Sequence, residues 1–347
     1  MQRLGVFSPR GFARSPQRLN VLGWYHVLGA VMIFLMGNLL GVLLAPPPAA
    51  KAGIWDSWSL IVSDTSGKIL GIAAILWIAQ RAFVEPVGRP GGLGWNWRRF
   101  GGGFWRGIAA YLLLLPVLIM VADITSAVLK WQHAPKPPVH PLLTALASHP
   151  PLGFQIALIL LACVSAPIGE ELFFRGLLQS YLVQLFAWMG KAIGARRKPP
   201  ASSTESMAPP QSGAAEGITM RPAAAEEEKS AAAGDFSLQT GPHPAVISAD
   251  DATAPPFWRE VKAPAPIRCR HRWAGILITA AIFAGVHMVM ANGAIDWFPI
   301  LFLLGIGLGY LYERTGNLWA DMTLHASFNG VSVLLITYIG LPKPGHP

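Results

Sequence analysis

The stretch Gly169-Glu170-Glu171-Leu172-Phe173-Phe174-Arg175-Gly176 places three charges inside a long apolar run. Between Leu152 and Gly190 these three residues are the only charged ones. As a single helix the run would be about 58 Å long, whereas a bilayer core is about 30 Å thick. We therefore expect one membrane span followed by a bent, re-entrant or surface continuation, with Pro167 and Gly176 as break points.

The two carboxylates of this stretch are costly beside lipid unless they are paired or line a wet cavity. One interpretation is a structural salt bridge, because Glu171 and Arg175 stand four residues apart on a helix and neutralise each other. That interpretation leaves Glu170 without a role. The pair therefore favours a functional site in the membrane.

The composition indicates a membrane protein. The 347 residues are 52% hydrophobic and 13% charged, against about 25% charged residues in an average soluble chain. The net charge of +9 is scattered over the ends of apolar segments, as the positive-inside rule predicts, so we expect the lipid bilayer and not nucleic acid as a partner. Two cysteines, Cys163 and Cys269, imply no disulfide framework.

The sequence predicts an all-α fold, a polytopic membrane bundle of seven to eight transmembrane helices with a disordered cytoplasmic insert. The seven expected spans are Val21–Ala45, Lys68–Phe83, Phe104–Trp131, the run from Leu152, Trp273–Ala291, Trp297–Tyr312 and Leu318–Ile339. The apolar continuation after Gly176 would be an eighth. Basic residues place the N-terminus, the loop after the second span and both ends of the insert in the cytoplasm.

We divide the chain into four parts. Residues 1–20 form a cytoplasmic tail, 21–131 the N-terminal transmembrane helices, and 152–195 with 268–341 the membrane core that carries the motifs. Residues 196–267 form the insert. From Pro199 to Ile267 this insert has 11 prolines and few large apolar residues, so it cannot bury enough apolar surface to offset its ordering entropy.

Two later apolar segments each carry a pair of motif residues four positions apart, so that the members of each pair share one helix face. These pairs are Phe283 with His287, and His325 with Asn329. A stripe of Asn317, Asp321, His325 and Asn329 extends the second pair. Two histidines, two glutamates and an asparagine in separate spans are tolerated only if they face one cavity.

Amide hydrolysis suits this set of side chains. A desolvated glutamate near a histidine holds and deprotonates a water, and a His–Asn pair donates to the oxyanion. Alternatively, Glu170, His287 and His325 bind a divalent metal such as zinc. The soluble zinc-protease pattern H-E-x-x-H is absent from the sequence, and no serine or cysteine nucleophile has a recognisable context. A proton-coupled transporter and a non-catalytic membrane scaffold or immunity protein are the other candidates.

At these residues the sequence resembles the CPBP family of intramembrane proteases, which includes CAAX prenyl endopeptidases and bacteriocin-processing or immunity proteins. The family pattern E-E-x-x-x-R, F-x-x-x-H, H-x-x-x-N appears as Glu170 to Arg175, Phe283 to His287 and His325 to Asn329. The segment Gly309 to Trp319 is similar to the family's approach to its last motif.

The resemblance implies an intramembrane endopeptidase that acts on a membrane-associated or lipidated peptide. Glu170 would be the general base and His287 its partner in holding water, while His325 and Asn329 would stabilise the oxyanion. Glu171 and Arg175 would support them. The resemblance also implies a multi-pass protein of the cell membrane, in bacteria the inner membrane. The long insert between the first two motifs departs from the family pattern and must loop out of the site.

Overall fold

The computed structural model describes residues 12, 15–46, 58–133, 141–148, 150–196, 267–290 and 295–339. These ranges form an all-helical bundle, which confirms the predicted fold class. The α-helices are α1 (Trp24–Leu44), α2 (Trp58–Ala82), α3 (Phe100–Trp131), α4 (Pro141–Ala147), α5 (Leu152–Leu160), α6 (Ala166–Glu171), α7 (Ser180–Arg196), α8 (Cys269–Met290), α9 (Trp297–Thr315) and α10 (Leu318–Ile339). Apart from its end residues, the predicted insert lies outside the described ranges.

Within the described ranges, five helical stretches are long and apolar enough to cross a membrane. They are Trp24–Leu44, Trp58–Ala82, Trp97–Trp131, Leu152–Ile193 and Cys269–Val289. The two other expected spans form α9 and α10, which carry Glu313 and the polar residues from Asp321 to Asn329. Large apolar side chains such as Leu43 and Trp131 are exposed on the outer helices, as lipid contact requires.

The second span begins ten residues earlier than the sequence predicts, because α2 starts at Trp58 and not at Lys68. Asp64, which the sequence analysis placed before this span, forms an ion pair of 2.5 Å with Lys68 one helical turn later. Close packing with α1 also fixes this helix. A Cβ atom on Gly41 would lie within 2.4 Å of the Ser63 Cα atom, so the two backbones meet only because Gly41 has no side chain.

The apolar run that contains Glu170 and Glu171 is helical from Leu152 to Arg196, and the predicted break at Pro167 or Gly176 does not occur. Instead, π-helical segments Leu161–Ser165 and Leu172–Gln179 connect α5, α6 and α7. A wider π turn accommodates the proline that follows it, which has no N–H and crowds the preceding turn. The two glutamates end α6 between these segments, and π-helical turns are frequent at functional sites.

Part of the predicted N-terminal tail is packed into the bundle. The backbone N–H of Val21 donates to Ala82 (2.9 Å) and that of Val84 to Leu19 (3.1 Å). Asn20 is fully buried and donates to the Ser180 carbonyl (3.3 Å). The segment before α1 therefore packs between the C-terminal end of α2 and the start of α7.

Candidate active site

A cavity of about 150 Å³ lies between α4, α6, α8, α9 and α10, with Glu170 in its wall. Its lining is Leu142, Ala162, Ala166, Glu170, His287, Trp297, Leu301, Phe328, Asn329, Ser332 and Val333. Glu170 and His287 are one-quarter exposed (25% and 24%), whereas the neighbouring Glu171 is fully buried. Adjacent carboxylates of one helix thus have different surroundings, and only the first reaches the cavity.

Three side-chain atoms from three helices converge beside this cavity. The Oε2 atom of Glu170 lies 3.3 Å from the Nε2 atom of His287 and 3.9 Å from the Nε2 atom of His325. The same oxygen has no hydrogen-bond partner among the described residues. These three residues are far apart in the sequence. They meet only because α6, α8 and α10 pack together.

Hydrogen bonds to the opposite ring nitrogens decide which histidine nitrogens face Glu170. The Nδ1 atom of His287 lies 2.8 Å from the Phe283 carbonyl oxygen, and that of His325 lies 2.8 Å from the Glu171 Oε1 atom. A carbonyl and a carboxylate only accept, so both Nδ1 atoms donate. In the neutral imidazoles the Nε2 atoms are then acceptors, and three acceptors face one another with no donor between them.

Glu171 and Arg175 form the structural pair that their spacing predicts. The Arg175 Nε atom donates to the Glu171 Oε2 atom at 3.0 Å, and both side chains are fully buried. The other carboxylate oxygen of Glu171 accepts from His325. The salt-bridge interpretation therefore describes Glu171, which orients a histidine, and it does not describe Glu170.

The Phe283 ring packs against the rings of both site histidines. It is fully buried, 4.4 Å from the His287 ring and 5.6 Å from the His325 ring between centroids. The Arg175 guanidinium lies 5.3 Å from its centre, within reach of a cation–π contact. An aromatic residue four positions before His287 thus fits the geometry of the second motif.

The stripe on α10 divides between the site and the helix start. Asn329 donates to the Ala162 carbonyl (2.8 Å) and lines the cavity, which leaves its second amide N–H for another acceptor. Asn317 accepts from the Trp319 backbone N–H (3.2 Å) and belongs to the turn before α10. Asp321 is fully buried, and neither carboxylate oxygen has a partner among the described residues.

A second cluster of charged residues, which the sequence patterns do not indicate, surrounds Glu313 near the end of α9. Arg18 and Arg272 form ion pairs with its two carboxylate oxygens, and Gln179 donates to it at 3.0 Å. Arg272 also donates to the Pro16 carbonyl at 2.7 Å. Burial opposes the charge of Arg18, but the Glu313 carboxylate outweighs this and raises the pKa of the guanidinium above its ordinary value. No spacing signal connects these residues, which are far apart in sequence.

The predicted metal ligands lie together, but they do not form a metal site in the structure. Among the described residues, no group of three or more His, Cys, Asp or Glu side chains has the arrangement that could hold an ion. Glu170 and His287 approach each other directly and His325 stands slightly further away.

The comparisons with known proteins agree with the motifs. A family model described as "Type II CAAX prenyl endopeptidase Rce1-like" matches residues 152–195 and 256–331. The unmatched residues between the two parts fall within the predicted insert. No curated protein and no solved structure gives a significant match. The family match confirms the kind of protein that the three motifs predict.

Proposed function

We propose that this chain, a member of the CPBP family of intramembrane proteases, hydrolyses a peptide bond of a membrane-associated or lipidated peptide with water activated by Glu170. The observation that carries the proposal is the meeting of three acceptor atoms at the cavity, Glu170 Oε2 and the Nε2 atoms of His287 and His325. Converging acceptors need a shared donor, and a water supplies two O–H groups.

In this mechanism Glu170 takes a proton from the water while the oxygen of the water attacks the scissile carbonyl carbon. His287 holds the water from the other side, because its Nε2 atom is the nearest acceptor to Glu170. The new C–O bond leaves an oxyanion, and protonated Glu170 returns its proton to the amine when the C–N bond breaks. A positioned general base contributes about 10² to 10⁴ to the rate.

The oxyanion would be stabilised from α10. The second N–H of Asn329 is available for it, since only one amide donor is needed for the Ala162 carbonyl. The Glu171 carboxylate orients the His325 ring from 2.8 Å at Nδ1, and the Nε2 atom of that ring donates to the oxyanion when it carries a proton. Such donors act most strongly in the transition state, because charge develops on the carbonyl oxygen there.

The test is a peptide-profiling assay on purified protein in detergent, with wild type, Glu170→Gln and Glu85→Gln. Glu85 lies outside the site and gives a matched loss of one carboxylate. We expect wild type and Glu85→Gln to cleave the same peptides and Glu170→Gln to lose turnover while it still binds them. Cleavage by Glu170→Gln at the wild-type rate would contradict the proposed base.

A strong chelator decides the role of a metal. Cleavage by the wild type that survives the chelator supports water activation by the side chains alone. Loss of cleavage that added zinc restores would instead support Glu170, His287 and His325 as ligands. A proton-coupled transporter would show no cleaved peptide in any of these reactions.

A further inference from the structure

Asp321 belongs to the polar stripe on α10, and the proposed mechanism gives it no role. We propose that Asp321 is a positioning residue of the site, which holds the Arg175 guanidinium through a shared buried water. Arg175 in turn holds Glu171, and Glu171 orients the ring of His325. The inference rests on the proposed function, because it concerns the histidine that would donate to the oxyanion.

The first observation is that Asp321 and Arg175 have complementary groups without partners. Both carboxyl oxygens of Asp321, and the Nη1 and Nη2 atoms of Arg175, have no hydrogen-bond partner among the described residues. Each side chain is fully buried. Polar atoms without hydrogen bonds are costly in a protein interior, most of all on charged groups. A guanidinium only donates and a carboxylate only accepts, so each side chain offers what the other lacks.

The second observation is the direction in which α10 packs against the helical stretch from Leu152 to Arg196. The Asn329 amide donates to the Ala162 carbonyl (2.8 Å). His325, one turn earlier on α10, contacts Glu171, which lies later in the other stretch (2.8 Å). The two stretches are therefore antiparallel where they meet.

One further turn in these directions brings Arg175 level with Asp321. Arg175 follows Glu171 by four residues, and Asp321 precedes His325 by four. Among the described residues, Arg175 forms its ion pair with Glu171, and no direct hydrogen bond joins it to Asp321. A water between the two groups can accept from the Arg175 N–H groups and donate to Asp321. Buried waters commonly join polar groups that would otherwise lack hydrogen bonds.

The position of Asp321 in the first turn of α10 would also suit a different role. An acidic residue there stabilises a helix through the partial positive charge of the helix N-terminus. That role needs only the charge, and it leaves the Nη atoms of Arg175 without partners. The two roles differ in what asparagine does, because asparagine removes the charge but retains an acceptor oxygen.

The consequence for the reaction lies at His325. The Glu171 carboxylate accepts from the His325 Nδ1 atom (2.8 Å) and from the Arg175 Nε atom (3.0 Å). A guanidinium that is held only at Nε can pivot about that bond, and the carboxylate and the imidazole would move with it. Asp321 prevents this movement from the Nη end. We therefore expect Asp321 to affect the turnover number and not the KM.

The test compares Asp321→Ala and Asp321→Asn with the wild type in detergent, on a peptide that the wild type cleaves. Asp123→Asn, at an exposed position of α3, is the control for the loss of a carboxylate. We expect Asp321→Ala to lower the turnover number about tenfold at an unchanged KM, because a displacement of about 1 Å can cost about 10² in rate. Asp321→Asn should retain most of the wild-type turnover number. Equal losses in the two variants would overturn the inference and indicate the helix-terminus role.

A second comparison asks whether Asp321 acts through Arg175. Arg175→Met and the double variant Asp321→Ala/Arg175→Met should have the same turnover number, because Asp321 has nothing to hold once the guanidinium is absent. Two losses that multiply would overturn the inference.

A structure of the unmodified chain that shows ordered waters tests the inference even if Asp321→Ala does not fold. We expect a water within about 2.7–3.2 Å of both an Asp321 oxygen and an Arg175 Nη atom. Separate partners for the two groups would overturn the inference. Cleavage by Asp321→Ala at the wild-type rate would overturn it alone, whereas no cleavage by the wild type would overturn the proposed function and this inference with it.

Discussion

Two glutamates of this bundle, Glu313 and Glu170, differ in their neighbours and in their exposure. Glu313 is 1% exposed, and both of its oxygens are paired with arginines from other parts of the chain. Glu170 is 25% exposed, and its Oε2 atom faces two histidine nitrogens and has no hydrogen-bond partner among the described residues. Of these two carboxylates, that of Glu170 lines the cavity.

In the proposed mechanism this difference separates a stabilising acid, Glu313, from a reactive one, Glu170. A buried carboxylate whose charge is fully compensated holds helices together, and breaking its pairs costs stability. A carboxylate that is desolvated, incompletely satisfied and open to a cavity can exchange a proton with water. Glu171 stands between these cases, since it is paired with Arg175 and also orients His325.

The largest expected effect is on the rate, from Glu170→Gln. The substitution preserves shape but removes the proton acceptor, so the turnover number should fall by about 10² to 10⁴. Thermal unfolding in detergent should change little, because Glu170 makes no buried compensated ion pair. A large drop in the unfolding temperature of Glu170→Gln would instead indicate that Glu170, like Glu313, stabilises the fold.

The converse expectation applies to Glu313→Gln, which leaves two buried arginines without their partner. Breaking such a pair costs about 3 to 5 kcal/mol, so the unfolding temperature in detergent should drop markedly. Folded protein that remains should cleave peptide with an unchanged KM. Adding Arg18→Met should recover part of the stability, because it removes one of the uncompensated charges; no recovery would argue against the pairing.

Asn329→Ala should lower the turnover number more than it weakens peptide binding. Removal of one oxyanion donor typically costs about 10² to 10³ in rate, and the contact strengthens only in the transition state. Steady-state kinetics separate the two effects. A rise in KM with an unchanged turnover number would place Asn329 in substrate binding and not in oxyanion stabilisation.

The smallest expected effect comes from Arg175→Lys, which preserves the charge beside Glu171 but loses the forked donor geometry. Loss of a hydrogen bond to a charged group costs about 1.5 to 3 kcal/mol. We expect a modest drop in unfolding temperature and a small loss of turnover through His325. The comparison with Arg175→Met, which removes the charge, should show a larger loss of stability.

Local spacing predicted the candidate site residues, whereas some boundaries of the helices were predicted wrongly. Four-residue steps place Phe283 with His287 and His325 with Asn329 on single helix faces, and the structure brings both pairs to Glu170. The predicted start of α2 was ten residues too late, because the charged Asp64 lies inside the helix and pairs with Lys68. The break predicted near Pro167 did not occur, because π-helical segments absorb the irregularity.

The sequence alone determined the class of protein and the chemistry available to it, because apolar runs can satisfy their backbone only as helices in lipid, and polar residues there need a shared cavity. Only the tertiary structure decided which glutamate has its charge compensated by arginines and which one borders the cavity. Arg18, Arg272 and Glu313 are brought together by packing across distant segments. Compensation of charge depends on distances in space, and no pattern within one helix records those distances.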